Sequence, residues 1–248
     1  MQTSTKNKGL KKIDSVHGVL LIDKPARMTS HDVVAAIRRH FLFKKVGHGG
    51  TLDPLATGLL PILIGRGTKL SHHIMDSHKV YEGTMHLGIS TDSQDAEGKI
   101  VSQKEMDGIT QEKIEEEMQR WTGDIMQTPP MVSAVKKEGV PLYKLARREE
   151  TVERTPRLKH IYTFDMLSFS PPYVSFRVQC TKGTYVRTLC SDMGDDLGCG
   201  AHVSALRRIE TGTFHVENSL HLDKILEMPL TLLQQQIIPI HQVRTDPS

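Results

Sequence analysis

The stretch VGHGGTLDPLATG at 46–58 constrains this chain more tightly than any other part of it. Glycines and a proline interrupt it too often for a helix or a strand to persist, so it reads as a loop whose path is specified residue by residue. Asp53 lies inside it, directly before Pro54 and shortly after Gly49 and Gly50. A single carboxylate placed on such backbone is what a nucleophile or general base needs. A structural Asx-turn ahead of a proline would leave the same trace. The apolar run that follows, LLPILI at 59–64, is only six residues long. A membrane-spanning helix needs about 20, and no apolar stretch follows the basic start MQTSTKNKGLKKIDS, so neither a span nor a secretory leader is expected.

The 248 residues carry 32 Lys and Arg against 29 Asp and Glu, a net charge of +3. The excess is local, because residues 1–50 hold ten basic and three acidic side chains. A polyanion such as nucleic acid would account for that placement, and so would a solubilising N-terminal tail. Cys180, Cys190 and Cys199 form no C-x-x-C pair and read as reduced thiols filling a core.

Residues 1–16 are polar, lysine-rich and without period, which predicts a flexible basic arm. GVLLID at 18–23 reads as a buried strand ended by Lys24-Pro25. Thr29 with Asp32 has the form of a capping box, and Val33, Val34, Ile37 and Phe41 follow at helical spacing, predicting a helix over about 30–43. Strands are expected at 59–64 and 79–87, then a hairpin loop across ISTDSQDAEG, whose spacing fails the calcium-binding EF-hand pattern. Ile114, Met118 and Trp121 mark a helix face ended by Gly123. Val174, Phe176, Val178 and Cys180 alternate along a half-buried strand, and Val186, Leu189, Cys190, Met193 and Leu197 form the stripe of another helix. Strands adjoining strands, with helices mixed in, favour an α+β fold on a largely antiparallel sheet over a doubly wound one.

One carboxylate narrows the chemistry. Glycosidases usually pair two, and none stands beside Asp53 in sequence. GRGTKL at 65–70 lacks the spacing and hydroxyl of a phosphate-binding P-loop. The 13 histidines include no zincin-like pair and no Cys/His cluster, so no metal is expected. Arg187, in KGTYVRT, offers a guanidinium able to orient a carboxylate and keep it ionised; as a bare sequence position it is more often a surface charge. Tyr81 and Tyr185 each supply a stacking face and a hydroxyl, or ordinary packing. Lys136, Lys137, Lys144, Arg147 and Arg148 around Tyr143 read as an RNA-facing flap or as a solvated helix.

Five segments in order, LLIDKPARMTSHDVV, VGHGGTLDPLATGLLPI, KVYEGTMHLGISTDSQDAEG, TPPMVSAVKKEGVPLYKLAR and CTKGTYVRTLCSDMGDDLG, resemble the TruB family of tRNA pseudouridine-55 synthases. The resemblance runs over 18–214. It implies the pseudouridine synthase fold, α+β with a central, mainly antiparallel mixed sheet, flanking helices and an RNA-clamping insertion at 127–150. It implies a catalytic domain at 17–216; the usual bacterial members continue into a C-terminal PUA module, and here 217–248 departs from that pattern as a short extension expected to hold no complete one. It further implies isomerisation of uridine in the T-loop of tRNA by base flipping, without cofactor or metal. By the same resemblance Asp53 is the catalytic aspartate, Arg187 its partner and Tyr81 the stacking tyrosine. His48 supports the extruded base, and Tyr185 and Leu206 line the pocket. The expected partner is tRNA, with no membrane and no obligatory protein partner, for a cytoplasmic monomer. A tRNA-binding and refolding module with incidental catalysis is the alternative.

Overall fold

The computed structural model describes residues 12–131, 136–137, 140–141 and 152–243. Most of the expected basic arm and of the 127–150 insertion, Tyr143 included, lies outside the described residues. The chain divides into two compact units, one made of residues through Pro54, Gly58–Met75 and the chain from Thr213, the other of Leu55–Thr57 and Asp76–Gly212.

In the first unit the apolar run at the start becomes β1 (Gly18–Lys24), buried along its whole length. β3 (Thr57–Ile64) pairs antiparallel with β1 from Gly18↔Ile64 to Lys24↔Gly58. β2 (Val46–His48) also pairs antiparallel with β3, whereas β14 (Leu220–His221) runs parallel to β1. The strand at β2 corrects the reading of 46–58 as loop throughout. Three residues around Gly47 gain a ladder from a strand already in place, and such pairing overrides weak local propensity.

α1 (Ser30–His40) starts where the sequence predicts. Thr29 Oγ1 accepts the Asp32 N–H at 3.1 Å while the Asp32 carboxylate accepts the Thr29 N–H at 2.9 Å. The helix stops three residues early, with Leu42 at φ 56°. Phe41 and Phe43 are both buried and stack at 5.7 Å, and residues two apart cannot share one helix face.

Val19 and Leu21 of β1, Leu59 and Leu63 of β3, Ile74 of α2 (Ser71–Asp76) and Phe214 of β13 (Phe214–His215) form a core cluster. Each such side chain contributes roughly 1.5–3 kcal/mol by leaving water. Several residues after 216 contribute to this unit's core too. α5 (Leu222–Glu227) buries Leu222 and Ile225, α6 (Leu230–Gln236) buries Leu233, and Ile238 exchanges both backbone hydrogen bonds with Val19 at 2.9 and 2.8 Å.

The second unit carries an antiparallel sheet in the order β12 (Ala201–Thr211), β4 (Lys79–Leu87), β11 (Tyr173–Cys180), β10 (Arg157–Ser170), β7 (Gly123–Gln127). The predicted alternation of β11 is realised, with Val174, Phe176, Val178 and Cys180 inward. β5 (Ile89–Thr91) and β6 (Ile100–Gln103) form the hairpin expected around the acidic turn. A second, two-residue pair joins β8 (Lys136–Lys137) to β9 (Val140–Pro141). α3 (Gln111–Arg120) buries Ile114 and Met118, and Trp121 caps it. α4 (Val186–Asp196) turns Val186, Leu189, Cys190 and Met193 inward. All three cysteines are buried, and burial pushes the Cys180 thiol up to about 11 and that of Cys190 further still, so both are inert fillers. The architecture is α+β on mainly antiparallel sheet. Among the described residues no helix is long and apolar enough to cross a membrane.

Candidate active site

Asp53 is half-buried, and the backbone on either side of it is tied down within the first unit. On its N-terminal side, Leu52 donates its N–H to Ser30 Oγ at 2.8 Å and accepts from the same hydroxyl at 3.3 Å. On its C-terminal side, the Pro54 carbonyl accepts the Arg27 N–H at 2.8 Å and the Lys24 ammonium at 3.4 Å. Lys24 is fully buried and also donates to Met28 O at 2.6 Å and Pro25 O at 2.9 Å. A buried lysine is tolerable only with such a ring of acceptors. Lys24, Arg27 and Ser30 therefore brace the two peptides that flank one carboxylate.

His48 ends β2 on the same loop. Its Nδ1 accepts the Gly50 N–H at 3.3 Å, and its ring meets that of His31 edge-on at 6.1 Å. Gly49 has no substitute here, because a Cβ would lie 2.5 Å from Ile74 Cγ2. Its N–H donates to Pro61 O of β3 at 2.8 Å, which carries the β2–β3 pairing one residue further toward the Asp53 loop.

The remaining expected site residues belong to the second unit. Tyr81 stands on β4 opposite Val178 and Arg208, and Leu206 pairs with Gly83 two residues along, so Tyr81 and Leu206 share one face of the sheet. Lys79 occupies the same face, 5% exposed, and burial with Arg208 nearby pushes its ammonium down to about 8. Tyr185 precedes α4, and its backbone is held by Gln127, whose amide accepts the Tyr185 N–H at 2.8 Å and donates to Tyr185 O at 3.0 Å. Gln127 is 1% exposed and carries no sequence mark of this role; nothing short of the fold would have singled it out.

Arg187, in the first turn of α4, is 2% exposed, which excludes the surface-charge reading. Its Nη1 donates to Ser93 O at 2.7 Å and lies 3.3 Å from Asp95 Oδ2. Asp95 belongs to the acidic turn. Its other oxygen accepts from Ser93 Oγ at 2.6 Å and from the Glu97 N–H at 3.1 Å. The Gln94 side chain accepts from Thr188 Oγ1 at 2.7 Å, and its carbonyl accepts the Val203 N–H of β12 at 3.1 Å. The turn thus serves as a mount for a buried guanidinium. Asp95 is the neighbour of Arg187 that the sequence reading missed, and the one signal for it was an acidic cluster that fits no recognisable ion-binding pattern.

Comparison with known proteins places the chain in a family. The family model described as "TruB family pseudouridylate synthase (N terminal domain)" matches residues 38–186, and the tRNA pseudouridylate synthase B C-terminal domain matches 187–243. The tRNA pseudouridine synthase B of Opitutus terrae is 49% identical over 225 residues, 91% of this chain and 93% of its own. That of Dechloromonas aromatica is 48% identical over 91% of this chain and 75% of its own. Among solved structures, a chain of a Cbf5-Nop10-Gar1 complex superposes with a TM-score of 0.72 at 28% identity, covering 96% of this chain and 68% of that one. A chain of an H/ACA RNP bound to a substrate RNA containing 2′-deoxyuridine gives 0.68 at 27% identity, over 91% and 60%. The chain belongs to the TruB family of pseudouridylate synthases.

Proposed function

We propose that this protein isomerises uridine to pseudouridine at position 55 in the T-loop of tRNA, with Asp53 as the catalytic residue. The observation that carries the reading is the bracing of the Asp53 loop by Ser30, Arg27 and Lys24, which holds one carboxylate in fixed geometry. The uridine leaves the base stack, its N1–C1′ bond breaks, the uracil turns, and C5 joins C1′. C5 gives up a proton and N1 gains one, so no atom or electron is exchanged with a second reactant and the reaction calls for no cofactor or metal. Asp53 acts either by attack on the nucleoside or by removing a sugar proton to give a glycal. Tyr81 stacks on the uracil, Tyr185 and Leu206 line its pocket, His48 supports the extruded nucleotide, and Arg187 pairs with the Asp53 carboxylate.

Residues 17–216 form the catalytic domain, with 127–150 clamping the RNA, 1–16 a basic arm and 217–248 a C-terminal extension. tRNA is the partner of a cytoplasmic monomer that needs no other protein. A cavity of about 290 Å³ in the first unit supports contact with a polyanion: His17, Lys45, Arg66 and Lys69 line it, and its one carboxylate, Asp14, is bound by Lys44 at 2.8 Å. Incubating the protein with unmodified tRNA and mapping pseudouridine tests the activity. Asp53→Asn is expected to abolish product while retaining most tRNA affinity, since binding is spread over many phosphates. Product from that variant would overturn the role of Asp53, and intact binding without product in the wild type would favour an RNA-refolding module.

A further inference from the structure

The turn at 181–184 joins β11 to α4 and leads directly into Tyr185 and Arg187. Cations converge on it. The Lys159 ammonium donates to the Lys182 carbonyl at 3.0 Å and sits 3.0 Å from where a Cβ at Gly183 would be. Lys182 reaches Asp76 at 2.9 Å, with both side chains more than half exposed. Lys79 lies beneath, opposite Cys180 in the ladder, and Arg157 acts on Lys159 from the start of β10.

This is an unfavourable arrangement for a fold to keep for its own sake. Burial, Arg157 and Lys182 together push the Lys159 ammonium down, and Lys79 is likewise depressed with Lys182 among the charges opposing it. The carboxylate that touches the group, Asp76, does so through an exposed pair of the kind that stabilises little and exchanges readily. An anion arriving from outside would relieve the crowding.

We propose that Lys159 and Lys182, gathered at the 181–184 turn, seat a backbone phosphate of the RNA substrate adjoining the nucleotide that is isomerised. The proposal rests on the tRNA reading given above and names a contact within it. Gly183, at φ +68°, leaves no side chain over the turn and lets a phosphodiester approach the backbone. Lysine ammonium groups are compact charges that follow a phosphate whichever way its oxygens point. Lys182 is free to swing from Asp76 to the ligand, while Lys159 is anchored by the Lys182 carbonyl and keeps two further N–H donors. The following residues, Tyr185 and Arg187, put the seat beside the expected pocket.

The test is the salt dependence of unmodified tRNA binding to the full chain. For Lys159→Ala/Lys182→Ala, the slope of log affinity against log salt should become shallower by about 1, with affinity about tenfold weaker near 0.1 M salt. Lys182→Ala alone should give a smaller change of the same sign, and it removes a largely exposed side chain, so the fold survives. Lys99→Ala/Lys224→Ala, an equal loss of charge elsewhere, should leave both quantities near wild type. A double variant that behaves like this control overturns the proposal. So does protection of Lys159 and Lys182 from acylation by inorganic phosphate but not by tRNA, which would make the seat one for a free anion. Wild-type binding without pseudouridine formation, with the variant effect intact, would sink the activity assignment and uphold the seat.

Discussion

Ser30→Ala is a small excision with a calculable effect. Ser30 is 2% exposed, and its hydroxyl is the acceptor for the Leu52 N–H at 2.8 Å. Alanine nearly preserves the volume but strands that N–H in the interior, and a buried donor left without a partner costs about 1–3 kcal/mol. Taking about 2 kcal/mol, the melting temperature should fall by roughly 4–8 °C for a chain of this size. The effect on catalysis should be larger than stability alone implies. Leu52 precedes Asp53, and an error of about 1 Å in a reacting group can cost roughly 100-fold in rate. We expect kcat in single-turnover pseudouridine assays to drop about 10- to 100-fold at temperatures where the variant stays folded, with tRNA affinity unchanged. Ile225→Val, which loses about 1 kcal/mol from the same unit through a buried methylene, should leave kcat alone. A Ser30→Ala protein with lowered melting temperature but wild-type kcat would refute the claim that this hydroxyl governs the carboxylate's placement.

Gln127→Leu removes both hydrogen bonds to the Tyr185 backbone and should cost about 2–4 kcal/mol, read from denaturant midpoints; a loss below about 0.5 kcal/mol would mean the two backbone groups find other partners. Lys79 has a folded-state pKa near 8, below its usual 10.5, so the unfolded chain holds more protons between those values and stability should rise with pH through that window, by about 3 kcal/mol in all. Lys79→Met should flatten that rise, measured as melting temperature from pH 8 to 10.5; an unchanged slope assigns it to other groups. Burial, with Asp195 and Asp196 beside it, raises Asp192 to about 6 from 3.8, so its charged form opposes folding and stability is lost as pH climbs through about 6. Asp192→Asn should therefore stabilise the protein at pH 7, by about 1 kcal/mol once solvent screening is allowed for, and a destabilised variant would contradict the sign.

What the sequence disclosed and what it hid follow from the range of the forces involved. The capping box at Thr29 and Asp32 and the alternation of Val174, Phe176 and Val178 are local patterns, and both are realised at the residues that carry them. β10 escaped notice because register shifts between Ile161 and Thr163 and between Met166 and Ser168 break its period, while Leu158, Tyr162 and Leu167 face outward. β12 is broken in the same way, and its Arg208, 1% exposed, sits where composition alone would place it in water. Asp53, His48, Tyr81, Tyr185, Arg187 and Leu206 were named as site residues through resemblance alone. Their supports were not. Ser30 and Lys24 act on Asp53 from other elements, and Asp95 meets Arg187 across more than ninety positions, as the Ser93 contact at a separation of 94 shows. Such pairings leave no mark in a window of sequence.

The hydrogen bonds between Val19 and Ile238 have a consequence for how the molecule is made. They close the first unit only when a residue near the beginning of the chain meets one more than two hundred positions later, so β1 must wait for its last neighbours while the ribosome is still working. Meanwhile the sheet from β4 to β12 lies wholly inside the stretch Asp76–Gly212 and can condense earlier from contacts of shorter span. During synthesis the apolar strand bearing Val19, Leu20, Leu21 and Ile22 is thus the segment longest without its complete set of partners, and it is where a chaperone would be expected to bind the nascent chain.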